Sequence, residues 1–465
     1  MSHSTSSATL LGDYMTQVTD PRALDEHAFG ARIHEVLFPA TPIQSEEFLF
    51  GRQKEIDRIR RALMAPGRQI FIYGERGVGK SSLANAAALQ WQSSDQHPLN
   101  TSCSSDATFS SVVWSLIRMS GAEATTTRVE RTGGAMKAGP VTLTSNTDVT
   151  TPAATAPLDV EEAAERLDRA FSSYSARTIA VIDEFDLLAD RTDRQRFAEL
   201  LKALGDRNSS AKLIFTGVAA TLDELLESHA SAHRQLDTVE LHRLDFQPRV
   251  DIVHRALRAF DVVANDSVVY RIANVSNGFP YYVHLMAEHL LWAWYGDQDS
   301  ETIEMSHLHE SFERAADAVH ADLRRPYDRA TRGRDSAAHV LWAVADAFDL
   351  ERSTDAIWRS YTQINATLGT EPLARSKFTE QLRKLRNEAS AGVLDDDVPK
   401  GLHRFREAMV RGYVRMAAAK HNIELDDQEY DPPPQLAVHS PRMSNRKRWI
   451  DPGRFVPPIG FPKKR

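Results

Sequence analysis

A glycine-rich loop, GERGVGKSS, carries the clearest chemistry in this sequence. Gly74, Gly79, Lys80 and Ser81 have the spacing G-x4-G-K-S, between a short apolar run and a stretch with helical spacing. Glycines let such a loop wrap tightly, so that backbone N–H groups point at phosphate oxygens. We expect Lys80 to reach the β and γ phosphates of ATP and the Ser81 hydroxyl to bind Mg²⁺. The other loop residues expected at the phosphates are Glu75, Arg76, Gly77, Val78 and Ser82.

Two acids follow a second apolar run. Residues 179–182 are all apolar and lead into Asp183 and Glu184. Mg²⁺ prefers hard oxygen ligands, and hydrolysis needs a group that positions or deprotonates water. We therefore expect Asp183 near the metal and Glu184 near the attacking water. The presence of both acids favours hydrolysis over binding alone, although a chance glycine turn and a solvated strand end are the plainer alternatives.

The surrounding pattern predicts the elements that bring these residues together. Apolar runs near 69–73, 99–103, 178–186, 212–218 and 238–244 read as buried strands, and amphipathic stretches lie between them. Alternating strands and helices predict an α/β fold with a parallel sheet covered on both faces. From residue 247 onwards the pattern is mainly helical.

The same pass along the chain predicts five parts. They are a flexible lead-in at 1–44, an α/β core at 45–246 with an insertion or flexible loop at about 121–157, a helical lid at 247–325, a winged helix at 335–425 and a Pro-rich basic tail at 426–465.

Composition restricts the function further. The chain has 465 residues and a formal net charge of -8, so any nucleic-acid contact must come from a local patch. The single cysteine excludes an internal disulfide. We see no apolar run of the roughly 20 residues that a membrane helix needs and no secretory signal. We expect a cytoplasmic protein without a membrane partner.

Five segments together resemble one family. They are FGRQKE at 50–55, the glycine loop, AVIDEFD at 180–186, LIFTGV at 213–218 and NGFPYYVHL at 277–285. The chain resembles the origin-recognition-like AAA+ P-loop ATPases, including bacterial members and the related STAND signalling ATPases. The resemblance implies that Phe50, Gly51 and Arg52 form a wall beside the adenine. It also implies that Thr216 senses the γ phosphate, although an ordinary strand-end threonine is the alternative.

The resemblance suggests an arginine finger and departs from the family at the lid. Arg234 is the candidate finger, which a neighbouring subunit inserts. The alternative is a surface arginine paired with Asp237 or Glu240. Initiator ATPases usually present a basic residue after the glycine turn of the lid, but here the turn continues through Pro280 without Arg or Lys. This Gly-x-Pro form is closer to STAND proteins and places Pro280 among the expected nucleotide contacts. His284 is the nearest polar residue, and we expect it to be a packed core histidine.

The C-terminal half contains a candidate DNA-binding surface. Segment 374–389 reads as the recognition helix of the winged helix, with Gln381 or Arg383 on base edges. The cations expected on its outer side are Arg375, Lys377, Arg383, Lys384 and Arg386. Three aspartates at 395–397 occupy the predicted wing tip and would repel phosphate. A winged helix used for protein contact or autoinhibition is therefore the alternative. The basic tail could bind nucleic acid as a flexible arm or dock on the acidic stretch 424–431.

These observations favour an AAA+ ATPase that hydrolyses ATP with Mg²⁺, assembles as a homo-oligomer and acts on DNA, a DNA-bound complex or a protein client. The alternative is a STAND-like switch in signalling or defence, with slow turnover. An adaptor with a dead site fits poorly, because no residue of either motif is missing.

Overall fold

The computed structural model describes residues 20–121, 133–138, 141–146, 157–207, 209–228, 232–387 and 392–425. The strands are β1 (Gln69–Gly74), β2 (Leu99–Ser102), β3 (Gly133–Ala138), β4 (Val141–Asn146), β5 (Ile179–Asp183), β6 (Lys212–Gly217), β7 (Leu236–Leu241), β8 (Arg352–Ser353) and β9 (Leu402–His403).

The helices divide into three sets along the chain. The first set is α1 (Glu26–His34), α2 (Gln53–Met64), α3 (Lys80–Trp91), α4 (Phe109–Met119), α5 (Val160–Tyr174), α6 (Arg191–Asp206), α7 (Ala219–Ser228) and α8 (Ala232–Gln235). The second set is α9 (Phe246–Ala259), α10 (Asp266–Val275), α11 (Pro280–Gly296), α12 (Met305–Ala318) and α13 (Ala321–Thr331). The third set is α14 (Asp335–Val344), α15 (Thr354–Leu368), α16 (Arg375–Arg386) and α17 (Ala408–Lys420). Within the described ranges, no helix has the length and apolar character needed to cross a membrane.

The predicted α/β fold is confirmed. Five strands form one sheet in the order β2-β5-β6-β1-β7, and every pairing in it is parallel. β1 is flanked by β6 and β7, and only β6 separates it from β5. The carboxyl ends of parallel strands meet at one edge of a sheet. The turn after β1 and the acids that end β5 therefore lie at the same edge.

The two faces of the sheet bury different cores. On one face Phe71, Phe185, Phe197 and Phe215 pack edge to face or stacked, with ring centroids 5.2 to 6.1 Å apart in their closest pairs. On the other face Ile70 and Ile72 belong to a core that continues into the helices after residue 246. Because that core is continuous, the helical C-terminal half is packed against the sheet side that carries α3.

The predicted flexible lead-in is wrong for residues 20–44. Phe29 and Ile33 of α1 are fully buried, and Phe29 packs 4.9 Å from Phe260 and 5.1 Å from Trp292, measured between ring centroids. Asp25 caps the helix by accepting a hydrogen bond from the Ala28 N–H at 2.8 Å. The apolar residues at 29, 33 and 37 form a helical stripe that the polar composition of the first thirty residues concealed. Residues 1–19 lie outside the described ranges.

The predicted insertion contains regular structure. β3 and β4 form an antiparallel hairpin in which Gly133 faces Asn146 and Ala138 faces Val141. The expectation of an irregular loop is therefore wrong for these twelve residues, since a Thr- and Gly-rich stretch can pair as strands without an obvious apolar alternation. The other residues of 122–156 lie outside the described ranges.

Residues 335–425, hereafter the C-terminal unit, contain α14–α17 and a short antiparallel pairing. β8 pairs with β9, and a single bridge joins Leu394 to Phe405. The winged helix expected here stays a prediction. Arg411 and Arg415 of α17 are almost fully buried and donate to the carbonyl oxygens of Ala345 and Ala347. The charged guanidinium groups thus bind the carbonyl oxygens that follow the end of α14.

Candidate functional site

The glycine loop connects β1 directly to α3. Gly74, Gly77 and Gly79 have φ of 152°, 81° and 97°, values that side chains rarely tolerate. Gly79 occupies the position before the first turn of α3, so the helix N-terminus opens onto the loop. Free backbone N–H groups and the positive end of the helix dipole make this a site for phosphate.

Lys80 lies against the loop that it is expected to serve. Its ammonium donates to the carbonyl oxygens of Gly74 at 3.0 Å and Glu75 at 2.8 Å. Burial lowers the pKa of Lys80, and the nearby carboxylates of Asp186 and Asp183 oppose that shift. No described carboxylate forms an ion pair with the ammonium, so the charge can be redirected to a phosphate by rotating the flexible side chain.

The two predicted metal ligands are neighbours. The Ser81 hydroxyl donates to the Asp183 carboxylate at 3.0 Å, although the two residues are 102 positions apart in sequence. A hydroxyl and a carboxylate at this distance fit Mg²⁺, which takes few protein ligands and completes its shell with phosphate oxygens and water. The described residues contain no group of three or more His, Cys, Asp or Glu side chains that could hold a metal ion.

Glu184 follows the strand in an unusual conformation. Its φ is 53°, and its side chain is exposed. Ser102 at the end of β2 donates its hydroxyl to the Glu184 carboxylate at 3.1 Å. The sequence analysis missed Ser102, because its relevance depends on the pairing of Ser102 with Asp183 across β2 and β5. The only local signal was a polar residue at the end of a predicted strand.

Thr216 is buried beside the same acids. Its hydroxyl donates to the Asp183 carboxylate and accepts the N–H of Glu184 at 3.1 Å. The threonine therefore ties the end of β6 to the end of β5 and orients Asp183. Its expected role as a γ-phosphate sensor stays a prediction.

Asp186 is a second residue that the sequence analysis missed. One carboxylate oxygen lies 3.5 Å from the position that a Cβ on Gly217 would take, at the tip of β6. Burial lowers the pKa of Lys80, and the Asp186 carboxylate opposes that shift. The spacing of the DEFD segment was the available signal, since Asp186 comes two residues after Glu184.

The residues predicted beside the base support the loop. Arg52 is buried and donates to the carbonyl oxygens of Val78 at 2.9 Å and His242 at 2.7 Å. Burial lowers the pKa of Arg52 to about 10. Phe50 is partly buried and packs against the core. Gly51 lies so close to the ring of Pro248 that a Cβ on Gly51 would be 2.5 Å from that ring. The structure thus assigns Arg52 to holding the loop backbone, and the expected contact with adenine stays a prediction.

Three further contacts involve residues that lie around the loop. The Ser82 hydroxyl accepts the N–H of Ile43 at 3.1 Å, which fixes the N-terminal segment over α3. Pro280, the first residue of α11, lies with its Cγ 3.9 Å from the position of a Cβ on Gly79. His284 accepts the N–H of Phe38 at 3.3 Å, and burial lowers its pKa to about 4. His284 is therefore a neutral packed histidine, as expected.

Arg234 lies at the other edge of the sheet. It comes two residues before Leu236, which pairs with Gln69 at the amino end of β1. The loop follows the carboxyl end of β1, so Arg234 is separated from its own chain's loop by about the length of a strand, roughly 16 Å. Its side chain is exposed.

Neither ion-pair partner considered for Arg234 is bonded to it. Asp237 is occupied by Arg58 at 3.0 Å and Arg68 at 3.1 Å. Glu240 accepts from Tyr73 and lies 3.7 Å from His242. In the described part of the chain, Arg234 therefore forms neither of the ion pairs that the alternative interpretation required.

The C-terminal unit reaches the glycine loop. A Cβ on Gly77 would lie 2.3 Å from the Met409 sulfur at the start of α17. The Tyr282 hydroxyl donates to the Met409 carbonyl oxygen at 2.6 Å, and a Cβ on Gly412 would lie 2.1 Å from the Tyr282 ring. The glycine loop, α11 and α17 therefore meet at one junction. Gly77 and Gly412 leave the space that the Met409 side chain and the Tyr282 ring occupy there.

Comparison with known proteins agrees with this geometry. Residues 49–215 match the family model described as the AAA ATPase domain. No curated protein matches the chain. Among solved structures, the Walker-type ATPase of Pyrococcus abyssi is 15% identical over 81% of this chain and 99% of that chain, with a TM-score of 0.46.

Two further solved structures have similar scores. The ORC2 protein of Aeropyrum pernix is 13% identical over 87% of this chain and 99% of that chain, with a TM-score of 0.45. The RuvB Holliday junction branch migration motor of Thermotoga maritima is 14% identical over 82% and 98%, with a TM-score of 0.39. Identities and scores of this size carry no information about substrate or partner.

The family match spans both halves of the site. It begins just before Phe50, includes the whole glycine loop and both acids of β5, and ends one residue before Thr216. Within that span Ser81 and Asp183 meet as nucleotide hydrolysis requires. Residues 49–215 form an AAA ATPase domain, and this domain carries the residues of an ATP hydrolase.

Proposed function

We propose that this chain is an origin-recognition-like AAA+ ATPase that uses Mg²⁺, assembles with copies of itself and acts on DNA or a DNA-bound complex. The observation that carries the proposal is the placement of Arg234. It is exposed, bound by neither candidate carboxylate, and at the sheet edge opposite its own loop. An arginine in that position can complete a nucleotide site only in a neighbouring copy.

The residues at the strand ends divide the chemistry between them. Ser81 and Asp183 would hold Mg²⁺, which would supply positive charge opposite the phosphates. Lys80 turns from the loop carbonyls to the β and γ phosphates. Glu184 orients the attacking water and accepts its proton, while the Ser102 hydroxyl holds the carboxylate. The Thr216 hydroxyl orients the Asp183 carboxylate by a hydrogen bond.

Arg234 supplies the charge that a single chain lacks. An arginine finger stabilises the transferring phosphoryl group and is worth about 10³ to 10⁵ in rate. Hydrolysis then requires contact between subunits, so turnover per chain rises with protein concentration. The carboxyl group of Glu184 and the guanidinium of Arg234 act at the same interface but come from different copies.

A mixing experiment tests this arrangement directly. Arg234→Ala and Glu184→Gln chains are each expected to be inactive alone, because every interface lacks one group. A mixture creates interfaces at which an Arg234→Ala chain supplies Glu184 and a Glu184→Gln chain supplies Arg234. We expect turnover to reappear on mixing, with mass measured in parallel to show assembly.

Arg177→Ala is the matched control, since Arg177 is an exposed arginine that precedes β5, three strands away from β7 in the sheet. It should keep the turnover of the unchanged chain. Turnover that is independent of protein concentration, together with no recovery on mixing, would refute action between subunits.

A second candidate function is a STAND-like switch, and the junction at Met409 favours it. α17 packs on Gly77 of the loop and on Tyr282 of the lid. A C-terminal unit docked there resists the loop and lid movements that accompany nucleotide exchange. Turnover that stays slow at every protein concentration, and rises when a partner or trigger is added, would favour the switch.

A further inference from the structure

The basic helix of the C-terminal unit has little free positive charge. Lys377 and Lys384 of α16 both bind Glu380, at 3.2 and 2.9 Å. Arg375 forms an ion pair with Asp355 and lies over the ring of Trp358. Arg375 has its own carboxylate partner, whereas Lys377 and Lys384 share the single carboxylate of Glu380, so each of the three would have to exchange a carboxylate contact to bind phosphate.

The rest of this face has the same character. Arg386 donates to the carbonyl oxygen of Leu402, which leaves Arg383 as the exposed cation of α16 without an ion pair among the described residues. The predicted wing is also neutralised, because Asp395 binds Arg404 at 2.7 Å and Asp396 binds Arg406 at 3.1 Å. Five cations of α16 and the wing therefore have a carboxylate partner within the unit, namely Arg375, Lys377, Lys384, Arg404 and Arg406.

Three arginines between the lid and the C-terminal unit have the opposite character. Arg329, Arg332 and Arg334 are all exposed, and none takes part in an ion pair within the described ranges. We call them the connector arginines. Three guanidinium groups within six residues form a dense cluster of unpaired positive charge.

The backbone gathers these side chains at one place. Arg329 and Arg332 are one helical turn apart at the end of α13, where the Arg332 N–H donates to the Asp328 carbonyl oxygen at 3.1 Å. The Arg334 N–H donates to the Thr331 carbonyl oxygen at 2.8 Å, which closes a tight turn. Gly333 within that turn has φ of 66° and no atom within 4 Å of the position of a Cβ. The turn is therefore open to a partner.

Two carboxylates lie in the same stretch but serve the fold. Asp328 accepts a hydrogen bond from the Tyr413 hydroxyl at 3.5 Å, and its charge helps to raise the pKa of Tyr413 to about 12. Asp335 begins α14, where a negative side chain favours the helix N-terminus. The positive charge of the connector arginines consequently exceeds the charge opposed to it.

The composition of this surface points to phosphate rather than to a protein partner. Protein interfaces are centred on buried apolar or aromatic anchors. The exposed large hydrophobic residues of the described chain are Met64, Met119, Leu187 and Val263, none of which lies on α13 or in the C-terminal unit. Exposed arginines without such an anchor match the sugar-phosphate backbone, to which guanidinium groups bind in a bidentate way.

We propose that the connector arginines Arg329, Arg332 and Arg334 are the main contact of this chain with the phosphate backbone of double-stranded DNA. This inference rests on the proposed action on DNA and names the surface that performs it. It assigns α16 and the wing a secondary part, because their charges are paired within the unit.

The test uses the full-length chain and a labelled DNA duplex of mixed sequence over a series of salt concentrations. The variant Arg329→Gln, Arg332→Gln, Arg334→Gln keeps a polar side chain at each position but removes its charge. Each phosphate contact contributes about 0.9 to the slope of log affinity against log salt. We expect the variant to lower that slope by about 2 to 3 and to weaken binding at least tenfold at the lowest salt.

Matched variants give the comparison. Lys377→Gln, Arg383→Gln, Lys384→Gln removes three cations from α16 and should bind DNA nearly as the unchanged chain does. Replacing the connector arginines by lysine keeps the charge and should keep the salt slope. ATP turnover and the thermal unfolding temperature, measured for all variants, show whether the connector variant remains folded.

The outcomes separate the two proposals. If the unchanged chain binds no DNA at low salt, the action on DNA fails and this inference fails with it. If the chain binds DNA but the folded connector variant binds equally well, the inference alone is overturned. Binding of poly-glutamate but not of the duplex, lost in the connector variant, would assign the surface to an acidic protein and also overturn it.

Discussion

The glycine-loop edge of the sheet and the C-terminal unit treat charge in opposite ways. At the loop, Lys80 is held only by carbonyl oxygens and Glu184 only by a hydroxyl. In the C-terminal unit, most cations of α16 and the wing are bound to carboxylates. A cation without a carboxylate partner can bind a ligand directly, whereas a paired cation must exchange one partner for another. This difference favours the connector arginines over the predicted recognition helix as the contact with DNA phosphate.

The largest expected effect comes from removing the loop's own charge. Lys80→Ala should abolish measurable ATP binding and turnover, because the phosphates lose their only direct ammonium contact from the loop. Binding is measured by calorimetry. Lys54→Ala, which removes an exposed lysine of α2, should leave both unchanged. ATP binding by Lys80→Ala close to that of the unchanged chain would contradict the assigned role of the loop.

The next effect separates binding from chemistry. Glu184→Gln keeps the shape of the side chain but cannot accept a proton, so turnover should fall by about 10² to 10⁴ while ATP stays bound. A filter-binding assay with labelled ATP measures the trapped nucleotide. Glu313→Gln on α12 is the control, since that carboxylate is exposed and far from the sheet edge. A loss of ATP affinity as large as the loss of turnover would argue against a role for Glu184 in the chemical step.

A smaller effect sharpens the comparison at the junction between the two regions. In Gly412→Ala the added methyl group meets the Tyr282 ring, so α17 should move away from the loop at a cost of about 1 to 3 kcal/mol. Thermal unfolding measures the cost, and the dissociation rate of a fluorescent ADP analogue reports on the loop. We expect faster ADP release if docking restrains the nucleotide site.

The control at the junction is Gly296→Ala near the end of α11, where the added methyl group meets no atom within 4 Å. It should leave the unfolding temperature unchanged or slightly higher, since alanine restricts the unfolded chain. Equal ADP release from Gly412→Ala and from the unchanged chain would show that α17 does not restrain the loop.

The smallest effect concerns the hydroxyl that holds Glu184. Ser102→Ala removes one hydrogen bond to a carboxylate, worth about 1.5 to 3 kcal/mol at most, so we expect turnover to fall by roughly tenfold with little change in ATP affinity. Steady-state kinetics measures both. Ser102→Thr, which restores a hydroxyl, should recover part of the rate. A Ser102→Ala chain with unchanged turnover would leave Glu184 positioned by its backbone alone.

Two helices, α16 in the C-terminal unit and α1 near the N-terminus, illustrate what the sequence pattern alone misjudges. The cations of α16 were identified correctly by position, but their carboxylate partners lie on other elements or one helical turn away. The α1 helix was missed because three apolar residues were diluted by a polar neighbourhood. In both cases the deciding contacts join parts of the chain that are far apart in sequence.

The sequence by itself determined the loop, the strand that ends in Asp183 and Glu184, and the α/β class. These signals are local, since tight turns need glycine, buried strands need apolar runs, and phosphate chemistry needs particular side chains at fixed spacing. Only the tertiary structure decided that Ser102 and Thr216 hold the acids, that Arg234 faces away from its own site, and that α17 reaches Gly77. Strand order, register and packing arise from contacts between distant segments, and a single chain's local pattern does not encode which of those segments will meet.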